Sequence, residues 1–187
     1  MLARTRTLAL HGVDALPVDV EIDIHRGLPA FSLVGLPDAA VRESRERVRA
    51  AIVNCGFEFP LKRITVNFAP GNVRKTGAGL ELAIALGLMV AQTEILPEGV
   101  LDGVGVLGEL GLDGSIRPVP GTLVLAHALR CTGIESLIVP MPNAHEAGLL
   151  PDLKVRSALT LAELRECWKG ELPRQPPVGQ RLVRDLT

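Results

Sequence analysis

The chain has 187 residues, 47% of them hydrophobic, and a formal net charge of −1. That length supports one domain with a buried core, and the charge excludes a uniformly basic nucleic-acid binder while leaving room for a local basic patch. Aromatic residues are only 3%, so the core must be built from Leu, Val, Ile and Ala, which favours helices packed closely on a sheet.

Cys55, Cys131 and Cys167 show no CxxC spacing, and His11, His25, His127 and His145 form no HxxxH pair. Neither a disulfide framework nor a metal site is expected. The opening residues carry arginines but no apolar run long enough for a signal peptide. The most apolar stretch, Leu80 to Ala91, contains Glu81 and is too short to span a bilayer. The expected location is the cytoplasm, with no membrane partner.

Val18 to His25 alternates apolar and polar residues, the period of a strand with one buried face. After the turn Gly27-Leu28-Pro29, Ala30 to Leu36 reads as a second strand, and the two are expected to pair as a hairpin. Pro37-Asp38 opens a helix that Asp38 caps. Val41, Ser44, Val48, Ala51, Ile52 and Cys55 form its inward stripe, and Gly56 ends it. Arg42, Arg45 and Arg49 share an adjacent face. Arg42 has Glu46 four residues on as an ordinary partner, whereas Arg45 and Arg49 are like charges at that spacing.

Ile64 to Ala69 is the next strand. It leads through Pro70 to Gly77 into a helix from about Ala78 to Gln92, apolar nearly all round, with Glu81 in its first turn. Val104 to Leu112 and Ser115 to Val119 flank Asp113-Gly114, a hairpin signal whose two central positions need positive φ. A helix over Pro120 to Cys131, a strand over Ile134 to Val139, a short helix over Asn143 to Leu149 and a short strand over Leu153 to Val155 follow. Thr160 caps a last helix through Trp168. The Pro-rich stretch from Gly170 reads as an extended linker, which divides the chain into a domain over 1–169 and a linker over 170–187.

The segment ending in Arg74-Lys75-Thr76 has the strand–loop–helix context of a phosphate-binding loop. Ala69 and Arg74 occupy the places where GxxxxGK[ST] needs glycines. Its ordinary reading is a turn before a helix, with two exposed basic residues and at most a weak anion contact.

Two segments, Lys75-Thr76-Gly77-Ala78-Gly79-Leu80-Glu81-Leu82-Ala83-Ile84-Ala85 and Gly108-Glu109-Leu110-Gly111-Leu112-Asp113-Gly114-Ser115-Ile116-Arg117-Pro118-Val119-Pro120-Gly121, resemble the proteolytic domain of Lon-type proteases. Gly27-Leu28-Pro29, the run Val34 to Arg49 (VGLPDAAVRESRERVR) and Ile64 to Pro70 (ITVNFAP) narrow this to the N-terminal domain of the ComM/YifB family, bacterial Mg-chelatase-like AAA+ proteins. The resemblance covers roughly Thr5 to Gly170. It implies a Lon-like, ribosomal-protein-type α/β fold, a mixed sheet covered by helices. It also implies an AAA+ ATPase module beyond the linker, with ATP and Mg²⁺ bound there and none in this part.

Lon-type proteolysis needs a Ser nucleophile and a Lys base within hydrogen-bond reach. By resemblance those positions fall on Gly79 and Leu123, and no lysine occurs from Thr76 to Leu153. No catalytic residue is expected. The family implies instead an accessory domain of a hexameric DNA motor, an ATP-dependent helicase acting in branch migration during recombination and natural transformation. DNA, single-stranded or branched, is the expected partner. The expected contacts are Arg42, Arg45, Arg49, Lys62, Arg63, Arg74 and Lys75, each a cation for a phosphate. The alternatives are an oligomerisation module without DNA contact and an enzyme, either a degenerate Lon-type peptidase or a magnesium chelatase component.

Overall fold

The computed structural model describes residues 1–11, 14–75, 78–92 and 95–170. Its first element is strand β1, Leu2–His11, which pairs antiparallel with β2, Asp14–His25, from Leu2↔Asp23 to His11↔Asp14. β1 is absent from the sequence reading because threonines stand where its inward face needs apolar residues. Thr5 and Thr7 are buried, and Thr5 resolves its hydroxyl by donating to the Ala83 carbonyl at 3.0 Å. The outward faces match by charge: Arg6 pairs with Asp19 at 2.9 Å and Arg4 with Glu21 at 3.1 Å.

The second edge of β2 carries β4, Arg63–Ala69, also antiparallel. β3, Ala30–Val34, pairs parallel with β4 at the margin of the sheet. The expected hairpin between β2 and β3 is therefore wrong. β1 and β4 occupy both hydrogen-bonding edges of β2, and β4 lies between β2 and β3. The remaining strands, β5 (Val104–Val106), β8 (Ser136–Pro140) and β9 (Lys154–Ala158), continue in parallel from β1, giving a seven-stranded mixed sheet of order β3-β4-β2-β1-β5-β8-β9. A separate two-stranded ribbon joins β6, Glu109–Leu110, to β7, Ile116–Arg117.

Among the described residues five helices cover the sheet: α1 (Ala39–Asn54), α2 (Glu81–Ala91, after a short 3₁₀ turn), α3 (Thr122–Arg130), α4 (Ala144–Ala147) and α5 (Leu161–Gly170). The expected mixed sheet flanked by helices is the fold observed. Every residue of α2 is buried, as its all-round apolar sequence predicts. Alternation along the strands feeds two cores. Ala9 and Ile138 join the one with Val20, Ile22 and α2, whereas Leu8, Leu137 and Val139 join the one with Leu125 and Leu129 of α3. Residues 171–187, nearly all of the expected linker, lie outside the described residues.

Two local expectations are refined. The β6–β7 turn has positive φ at Gly114 (80°) and not at Asp113. Gly114 N–H donates to Gly111 O at 3.0 Å and Gly111 N–H to Ser115 O at 2.9 Å, the pattern of a type I turn closed by a glycine bulge. Asp113 serves differently: its carboxylate accepts from the Ser115 hydroxyl and N–H, which holds it below the ordinary carboxylate range. At α1 the cap is as read, with Val41 N–H donating to Asp38 Oδ1 at 2.8 Å. Asp38→Ala should cost about 1 kcal/mol of stability, visible as a lowered urea midpoint with unchanged slope.

Candidate nucleic-acid interface

The inward stripe of α1 is buried at Val41, Ser44, Val48, Ala51 and Ile52. That fixes the rotation of the helix and leaves Arg42, Arg45 and Arg49 exposed beside the marginal strand β3. At 1.5 Å per residue, Arg42 and Arg49 start about 10 Å apart along the axis. Arg45 and Arg49 are partly engaged. Arg45 donates through Nη1 to the Phe31 carbonyl of β3 and through Nε to Glu46, both at 3.2 Å. Glu46 is thus taken by its chain neighbour, not by Arg42 as the helical spacing suggested. The Arg49 guanidinium lies 5.5 Å from the Phe59 ring centroid, and Phe59 packs on Phe31 with centroids 5.6 Å apart.

Lys62 and Arg63 are exposed at the same end of the edge as Arg45, whose partner Phe31 directly follows Ala30: Ala30 N–H donates to Lys62 O and Arg63 pairs in register with Ala30. Arg74 is exposed at the far end. There Lys75 N–H donates to Leu36 O and Asp38 N–H to Lys75 O, each at 3.1 Å, stitching the loop after β4 to the start of α1. The fold therefore gathers six of the seven expected cations around one sheet edge.

Lys75 is the exception and a correction. Its side chain is fully buried and its ammonium donates to the Pro70 carbonyl. Burial pushes its pKa below the ordinary lysine value. An ammonium turned inward onto its own loop cannot reach a phosphate outside. Ala69 and Arg74 also stand at the positions where GxxxxGK[ST] has glycines.

The peptidase positions are equally specific. Gly79 N-terminal to α2 has no side chain, although a Cβ there would meet only Val119 Cγ1, at 3.6 Å. Leu123 lies in the first turn of α3 and uses its N–H to donate to Glu146 Oε1 at 2.9 Å. The hydroxyls of Ser44, Ser115 and Ser136 are spent on Val41 O, Asp113 Oδ1 and Lys154 O, and that of Ser157 on Met141 Sδ. Gly79→Ser should fold within about 1 kcal/mol of the parent. It should hydrolyse no fluorogenic peptide, because no lysine base stands opposite; peptide turnover dependent on that serine would reveal a base elsewhere.

Sequence reading also missed a buried ion pair. The sequence pattern assigns Arg47 no role and marks Glu81 only as an acid in a helix's first turn. In the fold Arg47 Nε donates to Glu81 Oε1 at 2.8 Å, while Leu110 N–H donates to Glu81 Oε2 at 2.8 Å. The Glu81 side chain is 1% exposed. Burial raises its pKa, against the opposing pull of Arg47 and Leu110 N–H; Arg47 is itself raised, by its hydrogen bond to Glu81. This clamp ties α1, α2 and the β6–β7 ribbon together beneath the arginine face. Its only sequence signal was a lone acid in an otherwise apolar helix.

The model of the family described as subunit ChlI of Mg-chelatase matches residues 20–143. The chain belongs to this Mg-chelatase-like family. YifB of Escherichia coli (strain K12) is 42% identical over 149 residues, 80% of this chain and 29% of YifB. Competence protein ComM of Haemophilus influenzae (strain ATCC 51907 / DSM 11121 / KW20 / Rd) is 35% identical over 184 residues, 98% of this chain and 35% of ComM. These relatives place the chain with the ComM/YifB members of the family. A more distant similarity, 28% over 174 residues, reaches Lon protease of Brevibacillus choshinensis and agrees with the Lon-like fold. The chain spans about a third of the length of the ComM and YifB relatives. Among the described residues no helix is long and apolar enough to cross a membrane, and no group of three or more His, Cys, Asp and Glu is placed to hold a metal.

Proposed function

We propose that this chain is the non-catalytic, DNA-engaging N-terminal domain of a ComM-like motor. The motor's ATP- and Mg²⁺-dependent helicase activity would drive branch migration during recombination and natural transformation in the cytoplasm. The carrying observation is the edge formed by β3 and α1, where Arg42, Arg45, Arg49, Lys62, Arg63 and Arg74 are all exposed. A chain of net charge −1 that concentrates cations at one edge offers phosphates a local field without being basic overall. About two-thirds of each ComM and YifB relative lies outside the match, which leaves ample length for an ATPase and for hexamer formation through it.

The test is fluorescence anisotropy of labelled single-stranded and forked DNA titrated with the chain at low salt. Weak saturable binding is expected. A flat signal would favour a second reading, in which the same edge contacts a neighbouring subunit. That reading is supported by Leu28 and Leu61, which are 82% and 77% exposed at the Lys62 end of the edge.

A further inference from the structure

Leu36 is the most anomalous residue on this edge. It has a left-handed backbone, φ 57°, which a side chain bearing a Cβ adopts only at a cost. The residue is also 54% exposed, so the conformation gains little by burial. The surroundings hold it there. Gly35, at φ 91°, lets the chain pass so close to β4 that a Cβ would lie 2.3 Å from Phe68 O. The Leu36 carbonyl accepts from Lys75 N–H, and Asp38 N–H donates back to Lys75 O. The buried Lys75 ammonium ties that loop to Pro70 O. Lys75 thus builds the support that presents Leu36.

The segments that hold the tip carry two exposed arginines. Arg74 adjoins the stitch, and Arg42 follows one helical turn after Asp38, to whose carbonyl its N–H donates. Val34, 44% exposed, extends the apolar surface along β3. The acids nearby in sequence are Asp38, whose carboxylate is engaged by Val41 N–H, and Glu43. An exposed apolar point whose supporting segments carry exposed arginines complements a nucleic acid: a base face for the leucine and phosphates for the cations.

We propose that Leu36 packs against an unstacked base at a strand junction, with Arg42 and Arg74 on the adjacent phosphates. The inference rests on the DNA-engaging reading and names its substrate class. Half of one leucine side chain repays less than the unstacking of an intact base step costs. The contact therefore selects bases already freed at a fork, where that cost is least.

The experiment uses the 187-residue chain and a forked DNA carrying 2-aminopurine at the junction, beside single-stranded and blunt duplex DNA. The variants are Leu36→Gly, which suits the positive φ, and Leu36→Asn, which tolerates it and is polar. Urea midpoints at or above the parent's are expected for Leu36→Gly. Both variants should lose roughly three- to ten-fold in fork affinity relative to duplex and lose the change in 2-aminopurine emission. Arg42→Glu/Arg74→Glu should instead weaken binding to all three DNAs. Fork preference and emission unchanged in both Leu36 variants would overturn the proposal and leave the DNA reading standing. Unchanged DNA binding with altered self-association would overturn it in favour of a protein contact. A parent chain that binds none of the DNAs would remove both.

Discussion

Arg47→Ala should destabilise the fold by about 3–5 kcal/mol, the cost of removing one partner from a buried ion pair. The loss arises at Glu81, not at Arg47. The Glu81 side chain is 1% exposed, whereas that of Arg47 is 31% exposed and already partly hydrated. Without the guanidinium the carboxylate keeps only Leu110 N–H. The sign of the pH effect follows from burial raising the Glu81 pKa above its ordinary value of 4.5. A carboxyl with a raised folded-state pKa contributes stability below its unfolded pKa, and that contribution is lost as pH rises through the folded value. Removing Arg47 takes away a group that opposes the rise, so this dependence should steepen. Urea midpoints of Arg47→Ala should recover on acidification toward about pH 4.5 relative to the parent. Adding Glu81→Gln should restore part of the stability at neutral pH and flatten the difference. If the single variant matches the parent at neutral pH, the clamp is not holding α1 to α2 and the ribbon.

The second large effect is on binding. Arg42→Glu/Arg74→Glu should weaken single-stranded DNA binding at least tenfold at about 50 mM salt and lower the log–log salt slope by about 1.4, the value for two phosphate contacts on a single strand. Arg42 and Arg74 are exposed at the α1 start and its stitched loop, so stability should be unchanged. Arg45→Glu makes a useful contrast. Arg45 donates to the Phe31 carbonyl of the marginal strand and to Glu46, so its loss should lower stability and affinity together. A doubly reversed variant that binds DNA like the parent would move the contact away from this edge.

Where a segment's own periodicity decides its structure, the sequence was legible. The cap at Asp38, the stripe from Val41 to Ile52, the all-buried α2 and the turn at Gly114 all rest on local spacing; the strand expected over Val104 to Leu112 splits, Val104–Val106 joining the main sheet and Glu109–Leu110 the ribbon. The failures occur where tertiary context supplies the partner. Thr5 and Thr7 look polar, and Thr5 becomes an inward strand residue by finding the Ala83 carbonyl across the core. Once β1 is overlooked, β2 seems to have a free edge, and a hairpin with β3 follows as a natural error. Lys75 looks like a cation for a phosphate because it precedes a helix; the fold closes its loop and turns it onto Pro70. Arg47 and Glu81 lie 34 residues apart, and no local pattern links them. The candidate interface was half legible: helical spacing put Arg42, Arg45 and Arg49 on one face. Only the pairing of β3 with β4 and the stitch from Lys75 to Leu36 bring Lys62, Arg63 and Arg74 to the same edge.

The most direct test of the DNA-engaging reading is the salt dependence of binding to forked DNA by the 187-residue chain, followed by anisotropy from about 50 mM to about 200 mM salt. A linear fall of log affinity with log salt, with the slope reduced in Arg42→Glu/Arg74→Glu, is the predicted result. Absence of binding at the lowest salt, or affinity indifferent to salt and to those substitutions, would contradict it.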